Sequence, residues 1–168
     1  DCGGGDLSIW EGPLQFLTTC DPTTVPFIQN FDAAVEPDLP PCLMTQDQNG
    51  ATGWRMFFGG SPGGASDLAS IRYEPSADTP ADDWFFLQGL TLTGGKPYIL
   101  RFKYKASDGP ALVEDLEVKY GTSPNAAGMT TGVLFSQTSI ANNIDSPFET
   151  AIVTFTPPST GVYYLGFH

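Results

Sequence analysis

Residues 98–105 read Tyr-Ile-Leu-Arg-Phe-Lys-Tyr-Lys, and this strict alternation constrains the fold more than any other stretch of the chain. Tyr98, Leu100, Phe102 and Tyr104 fall on one side; Ile99, Arg101, Lys103 and Lys105 fall on the other. Successive side chains of an extended backbone point to opposite faces, so the segment is a strand with one buried and one solvated face. Such a strand belongs in an antiparallel sheet laid against a second layer. The same period recurs toward residue 120, where Leu116, Val118 and Tyr120 face inward against Asp115, Glu117 and Lys119. Basic groups at 101, 103 and 105 and acidic groups at 115 and 117 suit neighbouring antiparallel strands.

Further strands are predicted at 54–58, 68–73, 132–137, 148–156 and 161–168, with a short aromatic one around Phe27, Ile28 and Phe31. Residues 84–92 are nearly continuous in apolar side chains, the pattern of a strand buried on both faces. The 15 Pro and 19 Gly punctuate these runs, while charged residues make up only 15%, a mixture that disfavours long helices. Eight or nine strands at this spacing predict an all-β, two-sheet sandwich. The glycine-rich run 59–64 lacks the Lys-Ser/Thr pair of a phosphate cradle and reads as a loop.

The formal net charge is −12, from 19 acidic and 7 basic residues. A surface of that sign repels phosphate backbones and anionic lipid, so neither nucleic acid nor membrane headgroups are expected partners. No apolar run is long enough for a spanning helix, so no membrane insertion is expected. The sequence opens on Asp1 without a leader and is read as part of a longer precursor. Cysteines stand at 2, 20 and 42, an odd count that leaves one over. Cys20 and Cys42 flank the first predicted strand and could meet at its base. Their pairing implies an oxidising compartment, hence a secreted or cell-surface location.

Candidate chemistry gathers between Val25 and Trp54. Acidic groups at Asp32, Glu36 and Asp38 precede a stiff Leu39-Pro40-Pro41-Cys42 corner and an oxygen-rich turn, Asp47-Gln48-Asn49-Gly50. Hard oxygen ligands at a strand end suit calcium; aspartates that cap turns are the alternative. Asp82 and Asp83 form a second acidic pair. The sole histidine is His168, with no second His or Cys to complete a catalytic or zinc set. The acidic residues sit in loops and on solvated faces, so no enzyme is expected. Trp54, Phe57, Phe58 and Trp84 are candidates for stacking on sugar rings, with core packing the competing role.

Two family likenesses add to this reading. Cys2, Gly3 to Gly5, Ser8, Trp10, Gly12, Pro13, Phe16 and Thr18 resemble the closing hairpin of a fibronectin type III domain, giving a remnant over 1–20. Over 21–168, the landmarks are Pro26-Phe27 through Asn30-Phe31-Asp32, Leu39 to Cys42, Asp47 to Trp54 and Asp82-Asp83-Trp84. They continue with Tyr120-Gly121-Thr122-Ser123-Pro124 and Gly161 through His168. In this order they resemble the cleaved adhesin, or choice-of-anchor J, modules of secreted Bacteroidota proteins such as the gingipains. Leu43 departs from the family, which usually places tryptophan after the cysteine.

The resemblance implies a jelly-roll, galactose-binding-like sandwich that lacks the family's final strand with its paired aspartates. It implies a structural Ca²⁺ at Asp32, with Asn30, Asp47 and Asn49 as weaker ligands and Asp82 with Asp83 as a separate loop site. It implies a non-catalytic adhesion module of a larger secreted protein, recognising a cell-surface glycan or protein through loops. The alternatives are a structural spacer without a ligand, or a cargo segment met by the type IX secretion translocon during export.

Overall fold

The computed structural model describes residues 20–32, 34, 38–50, 53–58, 69–74, 81–106 and 113–168. The predicted fibronectin-like hairpin, Cys2 and the loop at 59–64 lie outside the described residues. Among these residues ten strands form: β1 (Met44–Asp47), β2 (Gly53–Phe58), β3 (Ala69–Glu74), β4 (Asp83–Phe86), β5 (Leu90–Leu92), β6 (Tyr98–Tyr104), β7 (Glu114–Gly121), β8 (Gly132–Ile140), β9 (Glu149–Phe155) and β10 (Gly161–Phe167).

One layer is a continuous antiparallel sheet in the order β1-β4-β10-β7-β8, with β5 also pairing β10. The second layer consists of two antiparallel ribbons, β2–β3 and β6–β9. Alternation decides what lies between the layers. Phe85, Val118, Tyr120, Leu165 and Phe167 form the buried core, and Trp54, Ile71, Leu100, Phe102 and Phe155 pack onto it from the ribbons. Ring pairs pin the layers together: Trp54 meets Phe85 edge-on at 4.8 Å, Phe102 meets Phe167 at 5.4 Å, and Tyr120 meets Phe155 at 5.2 Å. The chain is an all-β, two-layer sandwich. On β6 the predicted faces hold, with Ile99, Arg101 and Lys103 exposed and Leu100 and Phe102 turned to the core.

β4 is buried on both faces. Phe85 looks into the sandwich, while Trp84 and Phe86 join Met129 in a second cluster on the sheet's outer face. The 3₁₀ turn Ala126–Gly128 borders this cluster, held by a hydrogen bond from the Ala126 N–H to Gln46 Oε1 at 2.8 Å. Gly121 is required beside that turn, because a β-carbon there would stand 1.8 Å from the Gly128 carbonyl oxygen.

Three expectations are corrected. Residues 27–31 are not a strand. The chain touches β5 through Thr23, which donates to the Gly89 carbonyl and accepts from Thr91 N–H, both at 2.8 Å. It then passes Pro26, which has no N–H to give a ladder, and Phe31 takes a left-handed φ of 64° as its carbonyl closes a turn with Ala34 N–H. Phe27 and Phe31 still pack on the core. The first strand among the described residues is β1, immediately after the proline corner. Secondly, β6 and β7 are not neighbours. Arg101 lies across from Ile152 of β9, and Lys119 pairs with Glu117 along its own strand. Lastly, the apolar run 84–92 is two strands, both paired to β10 and separated at Leu87–Gly89.

A disulfide joins Cys20 to Cys42, with Cα atoms 5.4 Å apart. It ties the chain entering at Thr23 to the start of β1. Cys42 carries a left-handed φ of 73°, and Leu43 next to it enters the core.

Candidate functional site

The acidic end of the sandwich is built by strand register. β1 and β4 run antiparallel with Asp47 opposite Asp83, which places both carboxylates on one face of the sheet, while Gln46 and Trp84 take the other. Asp83 is 3% exposed, an unusual burial for a carboxylate. Its Oδ1 accepts a 3.2 Å hydrogen bond from the Gln48 backbone N–H, and its main-chain carbonyl accepts from Trp54 Nε1 at 2.9 Å. Its Oδ2 is buried without a hydrogen-bond partner, as is the nearby Tyr73 hydroxyl. Burial pushes the Asp83 carboxyl above the usual aspartate range, opposed by the Gln48 N–H. Tyr73 is likewise raised, by burial first and then by Asp83. A small cavity of about 80 Å³ adjoins Asp47, Trp54 and Asp83.

Asp47 also organises the following turn: its Oδ1 accepts from the Asn49 N–H at 2.9 Å and the Gly50 N–H at 2.6 Å. Gly50 completes that turn with a φ of 75°, open to glycine at no steric cost. Asp82 points elsewhere. Its Oδ1 receives Gln48 Nε2 at 3.0 Å and stands 3.1 Å from His168 Nε2. The His168 ring stacks on Trp84 at 4.5 Å, so the sole histidine is built into the end of the sheet.

Asn30 and Asp32 are exposed and engaged with each other: Asn30 Nδ2 donates to Asp32 Oδ2, and the Asp32 N–H donates to Asn30 Oδ1 at 3.3 Å. Among the described residues, no three or more His, Cys, Asp or Glu side chains are grouped to hold a metal ion.

The four aromatic candidates separate. Trp84 is 5% exposed, covered by Phe86 and His168 with Lys119 5.7 Å from its ring centroid. Trp54 is half-buried between Phe85 and Tyr73. Phe57 lies under the Arg72 guanidinium at 5.1 Å, and Phe58 at the end of β2 is 37% exposed.

Trp54 and Phe57 also border a cleft of about 1290 Å³ between the layers. Phe85, Leu165 and Phe167 of the continuous sheet lie along it, with Ile71 of β3 and Leu100 and Phe102 of β6. Charged groups of both signs line it, Arg72, Arg101, Lys103 and Lys105 with Asp83, Glu114, Asp115 and Glu117. Sequence reasoning missed this cleft and the Tyr73–Asp83 contact. Both depend on which ribbons face each other, and strand periodicity carries no signal for that.

No family model and no curated protein matches the chain. Among solved structures it is similar to the K1 cleaved adhesin domain of Lys-gingipain from Porphyromonas gingivalis W83. The TM-score is 0.59 at 18% identity, over 83% of this chain and 85% of that one. At that identity the likeness is one of fold: this chain has an adhesin-like β-sandwich.

Proposed function

We propose that this chain is a non-catalytic, extracellular adhesion module that binds a surface partner, and that a calcium ion steadies its acidic end. The observation that carries the adhesion reading is the apolar-floored cleft of about 1290 Å³, edged by half-buried aromatic rings and charged groups of both signs on an adhesin-like fold. The polar groups elsewhere support a non-catalytic role, because they are committed to structure: His168 is stacked and bonded, and Asp47 caps a turn. A glycan or a protein remains the class of partner, and the spacer reading differs only in having none.

For calcium, the buried Asp83 Oδ2 without a hydrogen-bond partner supplies the fit. Asp83, Asp47 and Asn49 would hold the ion, with water or main-chain oxygens completing the six to eight ligands it takes. The ion would supply the positive charge that a desolvated carboxylate lacks. Asn30 and Asp32 fit less well, because they supply no buried carboxylate oxygen.

The test is an immobilised chain screened against a glycan array and a panel of extracellular matrix proteins. Saturable binding to one component, retained in hydrolase-inhibitor controls, is expected. Absence of saturable binding across both panels would favour the spacer.

A further inference from the structure

We infer that Asn49–Gly50 is a self-modification site held in check by Asp47: the Gly50 nitrogen closes on the Asn49 side-chain amide, ammonia leaves, and Asn49 becomes a carboxylate. The consequence for calcium, and only that, rests on the cation site proposed above.

The chain has five asparagines, and only Asn49 is followed by glycine. Asparagine is among the chemically labile side chains. A following side chain crowds the five-membered ring that the next backbone nitrogen must close, whereas glycine brings none and reaches conformations closed to other residues. Gly50 is exposed at a φ of 75°, and nothing stands within 4 Å of where a β-carbon would be. The step balances with water alone. The Gly50 nitrogen gives up its proton and bonds to Asn49 Cγ; the Cγ–Nδ2 bond breaks, and Nδ2 carries that proton away as ammonia. Water then opens the ring at Cγ, giving aspartate, or at the main-chain carbonyl carbon, giving isoaspartate.

Asp47 controls the rate. Its Oδ1 accepts the Gly50 N–H at 2.6 Å and the Asn49 N–H at 2.9 Å. A carboxylate is far too weak a base to remove an amide proton. Its negative charge instead opposes loss of the proton it holds, so the folded turn restrains the reaction. The product lands among acidic groups. Burial raises Tyr73 most and Asp83 next, while Asn49 lowers it, which puts the Asn49 amide close to the Tyr73 hydroxyl. Asp83 lies across from Asp47 in the β1–β4 register. Modified Asn49 is therefore a third carboxylate at this end, and calcium affinity follows ligand charge.

The test incubates the whole chain in mildly alkaline, calcium-free buffer, with a synthetic peptide of residues 46–51 as the unrestrained reference. Peptide mapping by mass spectrometry, with fragmentation that separates aspartate from isoaspartate, follows each asparagine. The peptide should convert at Asn49 at least about tenfold faster than the folded chain, the scale of a hydrogen bond to a charged acceptor. Asp47→Ala should close most of that gap, and Asp47→Asn, which keeps an acceptor without the charge, should fall between. Acceleration should be confined to Asn49, because general unfolding would speed all five. A parent as fast as the peptide, an Asp47→Ala rate equal to the parent's, or acceleration shared by all five asparagines in both variants would overturn the inference. Calcium chloride should raise the melting temperature of Asn49→Asp more than that of the parent. An equal rise in both would overturn the consequence for calcium. No rise in either would sink the calcium reading and leave the modification standing.

Discussion

Opening the Cys20–Cys42 disulfide tests how the entry to the sandwich is held. The bridge spans 22 positions, and releasing a loop of that size from the unfolded state costs about 3 kcal/mol in the chain-entropy treatment. Cys20→Ala should lose that amount and little else, since Cys20 is absent from the core clusters. Cys42→Ala should lose a similar amount. Cys42 differs, however, in its φ of 73°, which costs an L-residue roughly 1–2 kcal/mol. Cys42→Gly removes that strain but loosens the unfolded chain by about 0.4–1 kcal/mol. The glycine variant should therefore be about 1 kcal/mol more stable than the alanine variant, although both lack the bridge. Urea unfolding followed by tryptophan fluorescence reads the difference, and all three variants should share a raised m-value as the unfolded state expands. A glycine variant no better than alanine would refute the strain argument. Midpoints unchanged from the parent would refute the loop argument.

Other substitutions probe separate parts of the fold. Asp83→Asn removes a buried charge while keeping an acceptor for Gln48 N–H; in chelator at neutral pH it should stabilise the chain by about 1–3 kcal/mol. The same variant should lose the rise in melting temperature that calcium gives the parent, and identical calcium shifts in both proteins would exclude Asp83 as a ligand. Gly121→Ala forces a β-carbon against the Gly128 carbonyl and should destabilise by about 3 kcal/mol or more, seen as a lower thermal midpoint. Glu149 accepts hydrogen bonds from Asn142 and Tyr104, which hold its carboxyl below the usual glutamate range. Its contribution is present above the unfolded-state pKa and is lost as pH falls through the folded one. Glu149→Gln should therefore flatten the acid limb of a stability–pH curve, and an unchanged limb would count against this.

Much of the sandwich is legible because burial writes itself into period two. Tyr98 to Tyr104, Val118 and Tyr120, and the β10 residues Tyr163, Leu165 and Phe167 all take the faces that alternation assigns them. The segment 27–31 misleads because aromatic content signals burial and not pairing. Phe27 and Phe31 do reach the core, but Pro26 and the turn at Phe31 leave no ladder. The β6–β7 charge match fails for a related reason: complementary charges are common, and topology decides which strands meet. At the acidic end, Asp47 and Asp83 are evident in the sequence as oxygen donors. Their juxtaposition arises from β1–β4 register, 36 residues apart in sequence, and Tyr73 joins from a different ribbon.

The position of β10 bears on biogenesis. Residues 161–167 sit in the middle of the larger sheet, bonded to β4, β5 and β7. Without them, β1–β4 and β7–β8 are two separate strand pairs with no shared spine. Such two-stranded pairs are marginal in water. Closure of the larger sheet must await β10, and long-range pairing of this kind is slow. A chain synthesised only as far as residue 160 therefore holds its larger sheet in two unjoined pieces.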